Sequence, residues 1–159
     1  MAGVSIVGVR GYAGGELLRL LLQHPAAEVC SLYGRSSGET GSVEEALPHI
    51  GGPAVIRPLE ALQSDDAEII FLSVPADAAQ ALAPELLAQG HRVIDLSGGH
   101  RLPQGLYPQW YGIEPQALPP AVYGLTEYWR SDVASADLVA NPGCYATALL
   151  LGLLPLVEA

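Results

Sequence analysis

Apolar residues fall along this chain in short, nearly continuous runs that alternate with stretches of helical spacing. Residues 4–9 are apolar on almost every position, as in a strand covered on both faces. Residues 14–23 follow with leucines spaced for one face of a helix. Residues 28–33 predict a second strand, and residues 34–41 are polar and glycine-rich, a loop. Residues 42–58 have no clear period and predict no element. Residues 59–64 predict a short helix, residues 68–74 an isoleucine-rich buried strand, and residues 76–89 a helix stopped by Gly90. Residues 91–96 predict another strand and residues 97–105 a loop. Between positions 107 and 120 aromatics and prolines dominate without a period. Residues 138–141 predict a strand ending at Pro142-Gly143, with helix from Tyr145 onward.

Strands alternating with helices, and apolar along their length, predict an α/β fold: a Rossmann-like, doubly wound, mostly parallel sheet. At 159 residues the chain fits one such domain. Residues 1–143 are expected to form the nucleotide-binding unit. Residues 144–159 carry an apolar helix that needs covering, and they read as the start of a second unit.

Composition narrows the partners. Half the residues are hydrophobic and 15% are charged, a globular composition far from disorder. Seven basic residues against 17 acidic ones leave a net charge of -10, which disfavours nucleic acid and anionic membrane surfaces. The most apolar run, residues 148–157, is too short for a membrane span of about 20 residues. The N-terminal residues lack the basic and apolar pattern of a signal peptide, and two cysteines make no disulfide framework, so a reducing cytoplasm is expected. The four histidines read as surface or loop residues, and their spacing with the cysteines matches no metal motif.

Two motifs carry candidate chemistry. Gly8, Gly11 and Gly14, with Arg10, Tyr12 and Ala13 between them, join the first strand to the first helix. Glycines there permit a tight turn and close approach of a pyrophosphate to the helix N-terminus. At the end of the second strand the acid that usually meets a ribose 2′-hydroxyl is missing. Arg35, Ser36 and Ser37 stand there instead, donors suited to a 2′-phosphate, so NADP(H) is expected over NAD(H). The second motif places Cys144 between Pro142-Gly143 and a helix. Open N–H groups at a helix start stabilise a thiolate and can hold an oxyanion. Cys30 reads as a buried core residue of the second strand.

The segments Gly8-Val9-Arg10-Gly11-Tyr12-Ala13-Gly14-Gly15-Glu16-Leu17, Asp95-Leu96-Ser97, Tyr123-Gly124-Leu125-Thr126-Glu127 and Asn141-Pro142-Gly143-Cys144-Tyr145-Ala146-Thr147 resemble the N-acetyl-gamma-glutamyl-phosphate reductases. These belong to the wider aspartate-semialdehyde dehydrogenase group. The resemblance implies NADPH-dependent reduction of a small acyl phosphate through a thioester on Cys144, in arginine biosynthesis, by an assembly of identical subunits. It also implies that Ser73, Pro75 and Ser97 line the nicotinamide side. The chain departs from the family at Arg10, at Gly99-His100 and at Ala146. It also lacks the second domain with its partner histidine, so residues 1–159 by themselves are expected to be inactive. A related aminoadipyl-phosphate reductase of lysine biosynthesis, a non-catalytic NADP-binding module and a domain lent to a separate polypeptide are the alternatives.

Overall fold

The computed structural model describes residues 1–51, 54–114 and 117–157. Parts of three stretches named above, residues 52–53, 115–116 and 158–159, lie outside the described residues. The expected alternation is present. Strand β1 (Ala2–Val7) leads into helix α1 (Tyr12–Leu21) and strand β2 (Ala27–Tyr33). Strand β3 (Gly41–Ser42), helix α2 (Val43–Ala46) and strand β4 (Val55–Arg57) occupy the stretch that has no period, followed by a 3-10 turn at Leu59–Ser64. Strand β5 (Ile69–Leu72), helix α3 (Ala76–Ala88) and strand β6 (Arg92–Asp95) repeat the unit. Helix α4 (Tyr107–Tyr111), strand β7 (Val122–Tyr123) and helix α5 (Thr126–Ser135) precede strand β8 (Leu138–Ala140) and helix α6 (Cys144–Val157).

All eight strands join one sheet in the order β3-β4-β2-β1-β5-β6-β8-β7, parallel except for the β3–β4 pair. The chain leaves β1 toward β2 on one side and later returns to β5 on the other. That reversal is the switch point where doubly wound sheets bind ligands, beyond the carboxyl ends of the strands. Apolar layers on both faces hold the sheet. Val7, Ile70, Leu72 and Val93 pack with Ala79, Ala83 and Leu86 of α3, while Ile6, Leu32 and Ile56 pack with Leu18 of α1 and with Val43 and Leu47. Burial on both sides is why these strands show apolar runs rather than alternation.

Helix α3 ends as the glycine predicts. Gly90 takes φ +92°, and the Gly90 and His91 N–H groups donate to the carbonyls of Leu87 and Leu86. This closes the last turn as a Schellman motif.

One expectation is corrected. Cys30 is exposed, not buried, because only the last three residues of β2 enter the core. The register between β1 and β2 also shifts beside it, between Val4 and Ser5. The four histidines all lie in loops or turns, as expected, though at different depths. His24 and His49 are exposed, and His91 is half-buried with Nδ1 2.7 Å from the Ala67 carbonyl. His100 is buried, its ring against Asp95 at the end of β6. Its carboxylate partner lies five positions earlier, across the turn after β6, so no helical or strand period signals the burial.

Candidate nucleotide and thiol site

The carboxyl ends of the strands bring the predicted residues into one row. In sheet order the loop with Arg35, Ser36 and Ser37 follows β2, the glycine loop follows β1, Ser73 and Pro75 follow β5, Ser97 follows β6, and Cys144 follows β8. Neighbouring strands lie about 4.8 Å apart, so the β1 and β8 ends are separated by about 14 Å. An extended dinucleotide bound along this edge would span that distance.

Each glycine in the first loop has its own reason. Gly8 takes φ +84°, and a Cβ there would collide with the Ser73 carbonyl. A Cβ on Gly14 would meet the Gly8 carbonyl and lie 2.8 Å from Val9 Cα. Both positions are therefore required by packing. Gly11 is different: a Cβ there would find only the Gly8 carbonyl at 3.5 Å, an ordinary contact. The fold does not need glycine at 11, whereas a ligand approaching the backbone would. Gly11 precedes α1 without a side-chain cap, so the first-turn N–H groups face the open side of the loop. A cavity of about 630 Å³ beside it is lined by Arg10, Gly11, Tyr12, Ala13, Glu16 and His49 among others. These features fit a pyrophosphate.

The loop after β2 corrects the sequence reading. No acid lies at the strand end in sequence, yet the fold brings one there. Gly38 at φ +75° turns the chain back, and Glu39 packs over Gly34, where a Cβ would come within 2.6 Å of Glu39 Cβ. Glu39 Oε2 accepts the Arg35 N–H at 2.9 Å and the Ser36 hydroxyl at 3.4 Å. Arg10 closes over the same loop, with Nη2 2.6 Å from the Thr40 carbonyl and Nε 3.4 Å from Glu39 Oε1. Ser37 hydrogen-bonds Glu60, which chiefly holds that carboxyl below its ordinary range. The sequence signal was present in Glu39, six positions past the end of the strand, but only the turn geometry gives it meaning.

On the other side of the row, Ser73 is half-buried, Pro75 is exposed, and the Ser73 N–H donates to the Val7 carbonyl at 2.9 Å. Ser97 is absorbed into its own loop. Its N–H donates to Asp95 Oδ1 at 2.7 Å and its Oγ accepts the Gly99 N–H at 2.9 Å. Arg101, which the sequence reading missed, ties this loop to the cysteine loop. It donates from Nε to the Asn141 carbonyl at 2.7 Å and from Nη2 to the Leu96 carbonyl at 2.8 Å. Helix α6 starts at Cys144, with the Thr147 N–H and hydroxyl both directed to the Gly143 carbonyl. Cys144 is exposed, and among the described residues no side chain is hydrogen-bonded to its thiol. Beyond it Tyr145, Leu149, Leu153 and Leu156 are exposed as well.

Comparison with known proteins bears on the family and the fold. The N-acetyl-gamma-glutamyl-phosphate reductase of Brevibacillus brevis is 47% identical over 165 residues, covering 99% of this chain and 47% of that protein. The enzyme of the same name from a Geobacillus species is 43% identical over 163 residues, covering 98% and 47%. The chain thus spans about half the length of the curated relatives it matches. Among solved structures, aspartate semialdehyde dehydrogenase with NADP from Candida albicans superposes with a TM-score of 0.68 at 17% identity, over 99% of this chain and 47% of that one. Aspartate semialdehyde dehydrogenase II from Vibrio cholerae gives 0.68 at 20%, over 99% and 43%. Such low identities establish the shared fold. The family model described as semialdehyde dehydrogenase, NAD binding domain, matches residues 3–136, from β1 through α5, and with that match the chain belongs to this family.

Proposed function

We propose that this chain is the nucleotide-binding half of an NADPH-dependent reductase that converts N-acetyl-gamma-glutamyl phosphate to the semialdehyde. The observation that carries the reading is the row of loops along the sheet edge, which ends with a cysteine at a helix start. Residues 1–143 hold the dinucleotide, and residues 144–159 open the substrate-binding unit. Gly8, Arg10, Gly11, Tyr12, Ala13 and Gly14 surround the pyrophosphate, and the Arg35, Ser36 and Ser37 loop receives the 2′-phosphate. Ser73, Pro75 and Ser97 border the nicotinamide.

Cys144 is the nucleophile. Its sulfur attacks the acyl carbon, the carbon–oxygen bond to phosphate breaks, and phosphate leaves with the electron pair, giving a thioester. Open N–H groups of the first α6 turn hold the oxyanion of that adduct. Ser73, Pro75 and Ser97 would hold a nicotinamide beside the sulfur, and that group would supply the hydride for reduction of the thioester. The aldehyde then leaves as the sulfur recovers its electrons. Arg101 acts on this site as a positioning residue, fixing the Asn141-Pro142-Gly143 turn that presents Cys144.

The test is turnover by the whole protein with N-acetyl-gamma-glutamyl phosphate and NADPH, or the reverse reaction with semialdehyde, phosphate and NADP. Cys144→Ser should lower kcat by at least about a thousandfold while dinucleotide binding survives. Wild-type rates in that variant would remove Cys144 from the chemistry.

A further inference from the structure

The donors offered to a 2′-phosphate are held by carboxylates of the chain itself. Glu39 takes the Arg35 N–H and the Ser36 hydroxyl and faces Arg10, and Glu60 takes the Ser37 hydroxyl. Of these loop donors, the Arg35 guanidinium alone has no partner among the described residues. We infer that Glu39 sets the cofactor preference of this site, because its carboxylate occupies the place of a 2′-phosphate. The inference rests on the dinucleotide-binding reading proposed above.

A phosphate monoester carries nearly two negative charges at neutral pH. To reach Arg35, Ser36 and Arg10 it must displace Glu39 or sit beside it, and two anions a few ångströms apart repel even at a partly exposed site. Glu39 is about one-fifth exposed and Arg10 about one-third, so water screens the pair only in part. A ribose 2′-hydroxyl meets no such opposition. It donates to a carboxylate at the end of the second strand, the role an acid there ordinarily fills. Glu39 therefore narrows the advantage of NADP over NAD, and Arg10, bonded to the Thr40 carbonyl, holds it in that position.

The experiment titrates the whole protein with NADP and NAD, and with adenosine 2′,5′-bisphosphate and 5′-AMP as smaller probes. Glu39→Gln keeps an acceptor for the Arg35 N–H and removes the charge. The NADP-to-NAD affinity ratio should rise about tenfold, with the bisphosphate-to-AMP ratio rising in parallel. Glu39→Ser removes the same charge without the long side chain and should move both ratios the same way. Ratios within twofold of wild type in either folded variant overturn the inference and leave the proposed function standing. A wild-type protein that binds neither dinucleotide overturns both.

Discussion

His100 Nδ1 lies 2.7 Å from Asp95 Oδ2, with both side chains closed off from solvent. The ring N–H donates to the carboxylate, whose other oxygen accepts the Ser97 N–H at 2.7 Å. One buried acid thus ties the end of β6 to the loop that carries Arg101. His100 Nε2, on the far side of the ring, is buried with no partner among the described residues.

Removing either member should cost stability, and unequally. His100→Phe keeps the ring volume but leaves Asp95 with the Ser97 N–H alone, at a cost of about 1 to 3 kcal/mol. Asp95→Val should cost more, because it strands both the imidazole and the Ser97 N–H. Urea denaturation of the two variants gives the order directly. Wild-type stability in His100→Phe would mean that the bond contributes nothing.

The glycine loop separates fold from ligand. Gly14→Ala forces a methyl group against the Gly8 carbonyl and Val9 Cα, and should lose about 1 to 3 kcal/mol. Gly11→Ala meets only an ordinary contact, so its unfolding should stay within about 0.5 kcal/mol of wild type. Its dinucleotide affinity should nonetheless fall by at least about tenfold, since the methyl group would stand where a pyrophosphate is proposed to approach. Calorimetric titration beside a melting curve checks both halves. Normal binding by Gly11→Ala would move the pyrophosphate elsewhere.

Where burial is continuous, the sequence was legible. The two-sided cover on β1, β5 and β6 leaves apolar runs that mark those strands within two residues, and α3 carries its own stop in Gly90. Several short pieces were not legible. Strands β3, β4 and β7, of two or three residues, are too brief to show a period and exist because a neighbouring strand pairs with them, whereas β8, equally short, is marked by the Pro142-Gly143 turn after it. Helix α1 begins at Tyr12, two residues before its leucine pattern, because the glycine turn already sets helical geometry there. Of the candidate site, the row of loops followed from strand order. The partners of Glu39, His100 and Arg101 did not, because each depends on how loops fold back over the sheet edge.

Tyr33 makes alkaline stability testable. Burial, and then its hydrogen bond to Asp65 Oδ2 at 2.5 Å, push its pKa up from 10.0 to about 12. A folded-state value above the unfolded one means that the phenol stabilises the fold fully below pH 10, and that this is lost as pH rises toward 12. Tyr33→Phe leaves Asp65 with the Ser5 hydroxyl and the Ala67 N–H, so it should fold and show a flatter decline over that range. Denaturation midpoints measured at steps between pH 9 and pH 12 compare the slopes. Equal slopes would assign the alkaline loss to other groups.

The two thiols should separate by pH. Partial desolvation of the Cys30 thiol raises its pKa above the ordinary value, with the charges of Glu28, Asp65 and Asp66 adding to the shift. Cys144 sits exposed at the first position of α6, on the edge where the loops converge. Alkylation at neutral pH followed by peptide mapping should find Cys144 modified first, with Cys30 catching up as the solution becomes alkaline. Cys30 reacting first at neutral pH would contradict this order.

Residues 1–159 produced on their own should bind dinucleotide without reducing an acyl phosphate. Binding needs the loops at the ends of β1, β2 and β5, and all of these rest on a covered sheet. Turnover needs more: an acyl group held roughly 3 to 3.5 Å from the sulfur and a group to manage the proton. Orientation of that kind is worth about 7 to 11 kcal/mol of barrier. Cys144 is exposed, with no side-chain partner for its thiol among the described residues, so these residues offer the proposed nucleophile but not its alignment. The same piece presents Tyr145, Leu149, Leu153, Leu156 and Val157 of α6 to water, an apolar face that favours self-association. Light scattering should show association that Leu149→Gln with Leu153→Gln reduces, while NADP titration of the same sample still shows binding. Turnover by this piece near the rate of an ordinary enzyme would place the missing alignment within residues 1–159 after all.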